Sequence, residues 1–261
     1  MIMNNINNGS SNGNFMKNVH LEFVQNKKTL LLCVLSIWAL YIFAGFCMGW
    51  KRMGGGTAEI ITFSIMAMFI STIVASMAFS NMKTKEQRIF SLMIPASVES
   101  KFFTRWIAVV PLLFIVLLSG FYLGDLARIG TSLMAGEALG SKYMNIINPF
   151  CFYTGYGDPD GALICCLAFG SYFFNQSLYF LGAILWPKLS FLKTFAALYV
   201  LQTVCGFIFM FNYNSFALSF IDGHGITTLW IIASVMIMLT LTCYCLAYLK
   251  FKNSQVVYKL F

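Results

Sequence analysis

Few residues in this chain of 261 are of types and spacings that do chemistry. Its two histidines, His20 and His224, fall on opposite sides of the membrane in the topology read below, so no His pair is available as a metal site. Asp158 and Asp160 in "GDPDG" are close enough for general acid–base work or for calcium, but the glycines and proline around them make a turn. Asp222 and His224 sit in a loop of the same kind and read the same way. No pair among the eight cysteines has CxxC spacing, and a buried free cysteine behaves as a small hydrophobe. "GWKRMGGG" (Gly49–Gly56) is glycine-rich but lacks the GxxxxGK[ST] pattern of a phosphate loop and reads as a hairpin turn. These residues give no catalytic constellation, no metal centre and no nucleotide site, and the chain does not read as an enzyme.

What the sequence has instead is apolar length. It is 59% hydrophobic and 10% charged, whereas a soluble domain carries about a quarter of its residues as charges. A helix needs about 20 mainly apolar residues to cross the hydrocarbon core of a bilayer. Six runs qualify: Thr29–Gly49, Ile60–Ser80, Trp106–Gly124, Ala162–Trp186, Thr194–Phe211 and Thr227–Leu249. None of these runs includes Asp, Glu, Lys, Arg or His, so an intramembrane proton relay has nothing to run on. Barrel strands are shorter and alternate, and lipid leaves backbone groups no outside partner, so helices are required. The expected fold is an all-α integral membrane protein with six transmembrane helices.

Lysine and arginine set the orientation. Six spans put both termini on one side, together with the loops after the second and fourth spans. That side carries 13 cations (Lys17, Lys27, Lys28, Lys83, Lys85, Arg88, Lys101, Arg105, Lys188, Lys193, Lys250, Lys252, Lys259). The other carries four (Lys51, Arg52, Arg128, Lys142), so both termini are expected in the cytoplasm. The net charge of +8 then reflects this sorting and attraction to anionic lipid head groups; no basic patch interleaved with aromatics points to nucleic acid.

Residues 1–28 form the first region: an Asn/Gly/Ser-rich lead-in without a cleavage signal, then Phe15–Lys28. Phe15, Val19 and Phe23 share one face there, and the stretch reads as an amphipathic helix on the cytoplasmic leaflet. Residues 29–251 are the transmembrane domain and 252–261 a cytoplasmic tail. The long outer connection is expected from Asp125 to Gly161. Its aromatic second half suits the head-group zone, with a gate over an exit path as the other reading.

Lys83–Trp106, "KTKEQRIFSLMIPASVESKFFTRW", concentrates five cations between the second and third apolar runs. Thr84 and Gln87 have capping-box spacing, and Ile89, Leu92 and Met93 recur at helical intervals. Pro95 ends the run, which predicts a short amphipathic helix over about Lys85 to Ile94. Ser97 is placed to cap a second helix, with Glu99 in its first turn favoured by the helix dipole. That helix runs through Phe102 and Phe103 into the third span. The segment is either a surface elbow whose cations reach lipid phosphates or a docking knob for a cytosolic partner. Asn175, Gln176, Gln202 and Asn212 are polar groups in or beside apolar runs. Such groups act as interhelical glue or line a substrate path.

With six spans, cytoplasmic termini, an N-terminal interfacial helix and a short helix between spans two and three, the layout resembles the ABC-2 type permeases of ABC transporters. "IPASVESKFFTRW" (Ile94–Trp106) is similar to an "LPAS..EKF" segment of permease-like proteins of Bacteroidetes, with Ser100 where that segment carries Glu. The long connection here lies between spans three and four, whereas that family elaborates the one between five and six. The resemblance implies a permease subunit in a bacterial inner membrane. It would couple a separate cytosolic ATPase, which supplies ATP and Mg, to export of an amphipathic or apolar substrate. No cofactor is bound by this chain itself in that reading, and a second permease chain completes the transporter. Lys85, Arg88, Ile89, Leu92, Met93 and Pro95 become the ATPase-docking residues. A reading from another class is a non-transporting regulator or assembly protein that binds a partner in the bilayer.

The cation split predicts that a cysteine introduced by Ser141→Cys reacts with a membrane-impermeant maleimide in intact cells, above the labelling of the parent. Labelling that rises only after lysis would reverse the orientation.

Overall fold

A computed structural model describes residues 27–50, 56–80, 97–136, 159–221 and 225–257. Nearly all of these are helical, and among them there is no strand. In chain order the helices are α1 (Lys27–Trp50), α2 (Gly56–Met77), α3 (Val98–Met134), α4 (Pro159–Leu185), α5 (Ser190–Ile221) and α6 (Gly225–Val257). Each predicted apolar run falls largely on one of them. Three stretches among the described residues are long and apolar enough to cross a membrane: Lys27–Gly49, Val98–Met134 and Trp230–Asn253; Ile61–Met77 and Ser190–Val204 are shorter apolar helices. This is a helical membrane protein. Its exposed residues agree: Leu32, Phe43, Phe69, Ile115, Phe207 and Met238 all face outward, as they do where lipid is the solvent.

The start of α3 follows the sequence reading. Ser97 is extended (φ −62°, ψ 148°), and its hydroxyl accepts the Ser100 N–H at 3.2 Å, with Glu99 in the first turn. The helix then continues through Phe102 and Phe103, interrupted only by a π-turn at Ala108–Leu112. Pro111 lies in that turn. Proline has no N–H to donate and its ring presses on the carbonyl four residues back, and a wider turn relieves both. Lys101, which the sequence places among surface cations, is buried on this helix.

The structure corrects three boundaries. The expected outer connection Asp125–Gly161 is shorter at both ends, because α3 runs on to Met134 and α4 begins at Pro159. The predicted third span ends where charge begins, yet Asp125 and Arg128 neutralise each other along one helix face and the backbone ladder continues beneath them. Likewise α5 extends through Ile221 and α6 begins at Gly225, so most of the stretch between the fifth and sixth apolar runs, which end at Phe211 and resume at Thr227, is helix. Counting apolar residues ends a helix where hydrophobicity ends, but uncharged "NYNSFALSFI" contains neither Pro nor Gly to stop one.

The chain divides into two compact units. The first combines residues up to Ala67, Thr84–Ile147 and the end of the chain from Phe251. In it α1 and α3 run together along glycines. A Cβ on Gly45 would run into the Gly124 carbonyl, and one on Gly124 would come within 2.8 Å of the Tyr41 carbonyl oxygen. Gly49 lies against Thr131 and Gly120 against the Tyr41 ring. The four glycines form facing GxxxG pairs, Gly45/Gly49 and Gly120/Gly124, the spacing that lets membrane helices touch backbone to backbone. Side chains fasten the seam: Trp38 Nε1 donates to Ser119 Oγ at 3.0 Å. Tyr41 donates to the Phe63 carbonyl of α2 at 3.2 Å, with the two rings 5.3 Å apart. Near the start of α3, Phe102 packs on Phe251 at 5.8 Å.

The second unit holds Met68–Lys83 and Asn148–Lys250. A tight turn at Trp186–Leu189 joins α4 to α5; Pro187 stops α4 and Leu189 takes a left-handed φ of 55°. Beside it Gly182 admits Thr194, whose hydroxyl donates to the Ser190 carbonyl at 2.8 Å. Phe180 meets Phe79, just past the end of α2, at 5.2 Å and Tyr244 of α6 at 5.8 Å. One fully buried ring thus joins three parts of the unit.

The seam leaves no space for a β-carbon. Gly124→Val should therefore destabilise the purified protein by more than the about 1–3 kcal/mol typical of overpacking, since the obstacle is backbone. Gly130→Ala on the same helix meets nothing within 4 Å and should be neutral or slightly stabilising. Thermal unfolding in detergent, followed by size-exclusion chromatography, distinguishes the two.

Candidate functional site

In helices this apolar, buried polar groups mark where function or specificity is concentrated. The second unit collects them from three helices. Ser71, Thr72 and Ser76 on α2, Tyr172, Gln176 and Ser177 on α4, and Thr240 on α6 are all buried; Ser71, Gln176 and Ser177 are wholly inaccessible. Four-residue spacing puts Thr72 and Ser76 on one face of α2, and Tyr172 and Gln176 on one face of α4.

The serine and threonine hydroxyls are satisfied at home. Ser71 donates to the Met68 carbonyl at 2.9 Å, Thr72 to Phe69 at 2.8 Å, Ser76 to Ile73 at 2.7 Å and Ser177 to Phe174 at 2.8 Å. Between helices, the Tyr172 hydroxyl lies beside Ser71, and Cys243 of α6 lies beside Ser177. Tyr244 approaches both Tyr172 and Cys243. The result is a dry polar layer of hydroxyl, amide and thiol groups bordered by the Phe79, Phe180 and Tyr244 rings. Such a layer can hydrogen-bond a polar group of a guest or hold the helices in register. It contains no base beside a nucleophile, and among the described residues no group of His, Cys, Asp or Glu could hold a metal ion.

The first unit contributes a different feature. Arg128 Nε and Nη2 both donate to Asp125 Oδ1, at 3.0 and 2.7 Å, and both side chains are buried. The sequence reading placed these residues in an outer loop; the structure instead carries both on α3, buried in the unit. The pair lies directly after Gly124, where α1 and α3 touch, and the Arg128 carbonyl borders Gly49. Helical i,i+3 spacing makes the pair possible, and burial makes it costly to break.

Of the residues singled out in the sequence, Gln176 is buried in the polar layer. Asn175 is half-buried beside it and donates to the Ser171 carbonyl at 3.0 Å. Gln202 is not brought there: it is exposed on α5. Asn212 belongs to α5, but its side chain lies outside the described residues. Lys85, Arg88, Ile89, Leu92, Met93 and Pro95 also lie outside them, as does the interfacial segment before Lys27.

No protein-family model, curated protein or solved structure matches this chain. The site rests on its own geometry. Sequence reasoning missed the glycine seam and the ion pair, although both have a visible signature: two GxxxG patterns in apolar runs, and Asp and Arg three residues apart just beyond one of them.

Removing one partner of the ion pair strands a buried charge. Arg128→Ala should cost about 3–5 kcal/mol, whereas Asp125→Leu with Arg128→Met, which removes both charges, should recover most of that loss. Thermal unfolding in detergent checks the pair; equal stability of Arg128→Ala and parent would show that the charges contribute nothing.

Proposed function

We propose that this chain is the membrane-spanning permease subunit of an ATP-driven exporter of ABC-2 type, with six spans and both termini in the cytoplasm. The observation that carries the reading is the start of α3, where Ser97 caps a helix that continues from the motif-bearing segment into an apolar span. That cap stands two positions after Pro95 in the sequence, so in this reading the coupling segment leads straight into a membrane helix. In this reading Lys85–Ile94 is the coupling helix, and Lys85, Arg88, Ile89, Leu92 and Met93 meet a separate cytosolic ATPase. That partner holds ATP and Mg and supplies the energy. A second permease chain completes the path, and the bacterial inner membrane is its place. The polar layer around Gln176 suits a guest that is mostly apolar with one or two hydrogen-bonding groups, since it offers amide and hydroxyls but no net charge.

Leu92→Asp tests the docking. A carboxylate forced into an apolar contact is penalised by several kcal/mol, so the ATPase should no longer co-purify in mild detergent. Arg88→Ala, a cation at the rim, should weaken association only modestly. Both variants should still insert and elute as single species. If Leu92→Asp retains the partner at the parental level, or if no ATPase co-purifies with the parent, the docking reading fails.

A further inference from the structure

The start of α3 and the end of α6 meet where cations are concentrated. Phe102 packs on Phe251 with ring centroids 5.8 Å apart, and both rings are buried. Lys101 adjoins the first ring and Arg105 follows one turn later, while Lys250 and Lys252 stand directly before and after the second. Lys101 is buried and Arg105 half-buried; Lys250 and Lys252 are exposed. Helix α6 carries no acidic residue, and the first turns of α3 carry one, Glu99. Among the described residues neither Lys250 nor Lys252 makes an ion pair. Sorting of charge across a membrane treats the cations of one side alike. The contact between two rings instead selects these four.

Both helix ends are also ends of apolar stretches. Val98–Met134 begins three positions before Lys101, and Trp230–Asn253 closes one position after Lys252; each is long and apolar enough to cross a membrane. Along α6 an exposed leucine lies one turn before each lysine, Leu246 before Lys250 and Leu249 before Lys252. On α3 the exposed ring of Phe103 stands edge-on to Phe102 at 5.9 Å. A ligand suited to this surface is apolar along its length and anionic at one end. A soluble anion has no use for the leucines, and hydrocarbon has none for the lysines.

We propose that the end of α6, fastened to α3 through Phe102 and Phe251, is a binding site for an anionic phospholipid. Its phosphate is held by Lys250 and Lys252 in the positive field of Lys101 and Arg105, and an acyl chain lies along Leu246 and Leu249. An ammonium group offers a phosphate up to three donors, and the charge makes each bond a strong one. The buried ring pair fixes the backbone from which both lysines extend, so only their side chains are ordered when the lipid binds. Two lysines flanking one anchored residue thus discriminate by charge, and the leucines beside them by length. The site requires no ATPase and stands whether or not the chain transports a substrate.

The test is native mass spectrometry of the full-length chain in a mild nonionic detergent, counting adducts as phosphatidylglycerol or phosphatidylcholine is titrated in. The parent should retain phosphatidylglycerol in preference to phosphatidylcholine. Lys250→Gln with Lys252→Gln should raise the apparent dissociation constant of that adduct about thirtyfold, the effect of two cations near a lipid surface. Lys250→Arg with Lys252→Arg should stay close to the parent. Lys188→Gln with Lys193→Gln, which removes the same charge at the exposed α4–α5 turn, should leave binding unchanged. Glycerol phosphate, the head group without its chains, should not displace the lipid at equal concentration. All three double variants alter exposed side chains and should unfold at the parental temperature without added lipid. Equal retention of the two lipids overturns the proposal, as does parental binding by the Lys250/Lys252 glutamine variant or an equal loss in the Lys188/Lys193 variant. Displacement by glycerol phosphate overturns it too, by assigning the lysines to a soluble phosphate.

Discussion

Lipid offers a protein no hydrogen-bond partner, and the architecture of this chain follows from that. Backbone groups are satisfied within helices, and the hydroxyls of Ser71, Thr72, Ser76 and Ser177 fold back on carbonyls of their own turns. Because lipid is as apolar as leucine, burial of leucines does little to bring the helices together. Association has to come from close contact and from polar groups that prefer one another to hydrocarbon. Both appear where α1 meets α3: glycines admit backbone contact, and Trp38 and Ser119 close a hydrogen bond across it.

The Asp125–Arg128 pair answers to the same constraint. Either residue alone would be expensive in this setting, and together they let α3 continue past the end of its apolar run. The polar layer of the second unit is milder, built of uncharged groups that can be dry without great cost if each has a neighbour. One unit thus places its polarity in a charge pair at a glycine seam, and the other in a layer of hydroxyls and amides around Gln176. The proposed transport path belongs with the second kind, since uncharged groups can exchange partners with a guest at little penalty.

Much of this was legible in the sequence. Apolar length indicated helices and roughly where they lie, and the Ser97 cap followed from a serine placed just after a proline and before Glu99. What the sequence concealed was where helices end and which faces meet. Hydropathy stops at Asp125, but hydrogen bonding along α3 does not; it stops near Gly136, which adopts a positive φ of 80°. The distinction between Gln176, enclosed, and Gln202, exposed, depends on which neighbours each helix has, and residue type alone cannot supply it. The glycine pairs were readable as a pattern, yet their partners required three dimensions.

The π-turn at Ala108–Leu112 has a geometric consequence. One additional residue in a turn advances the angular phase of a helix by about 100°. The segment Val98–Ile107 and the segment Leu113–Met134 therefore do not share a single continuous face. The first segment can bury Lys101 and Thr104 while the second buries Leu117, Gly120 and Gly124, each with its own rotational setting. Pro111 keeps the phase offset in place, because a proline inside a regular α-helical turn would clash. Rotational phase, and not only distance along the chain, thus separates the capped start of the helix from the glycine seam.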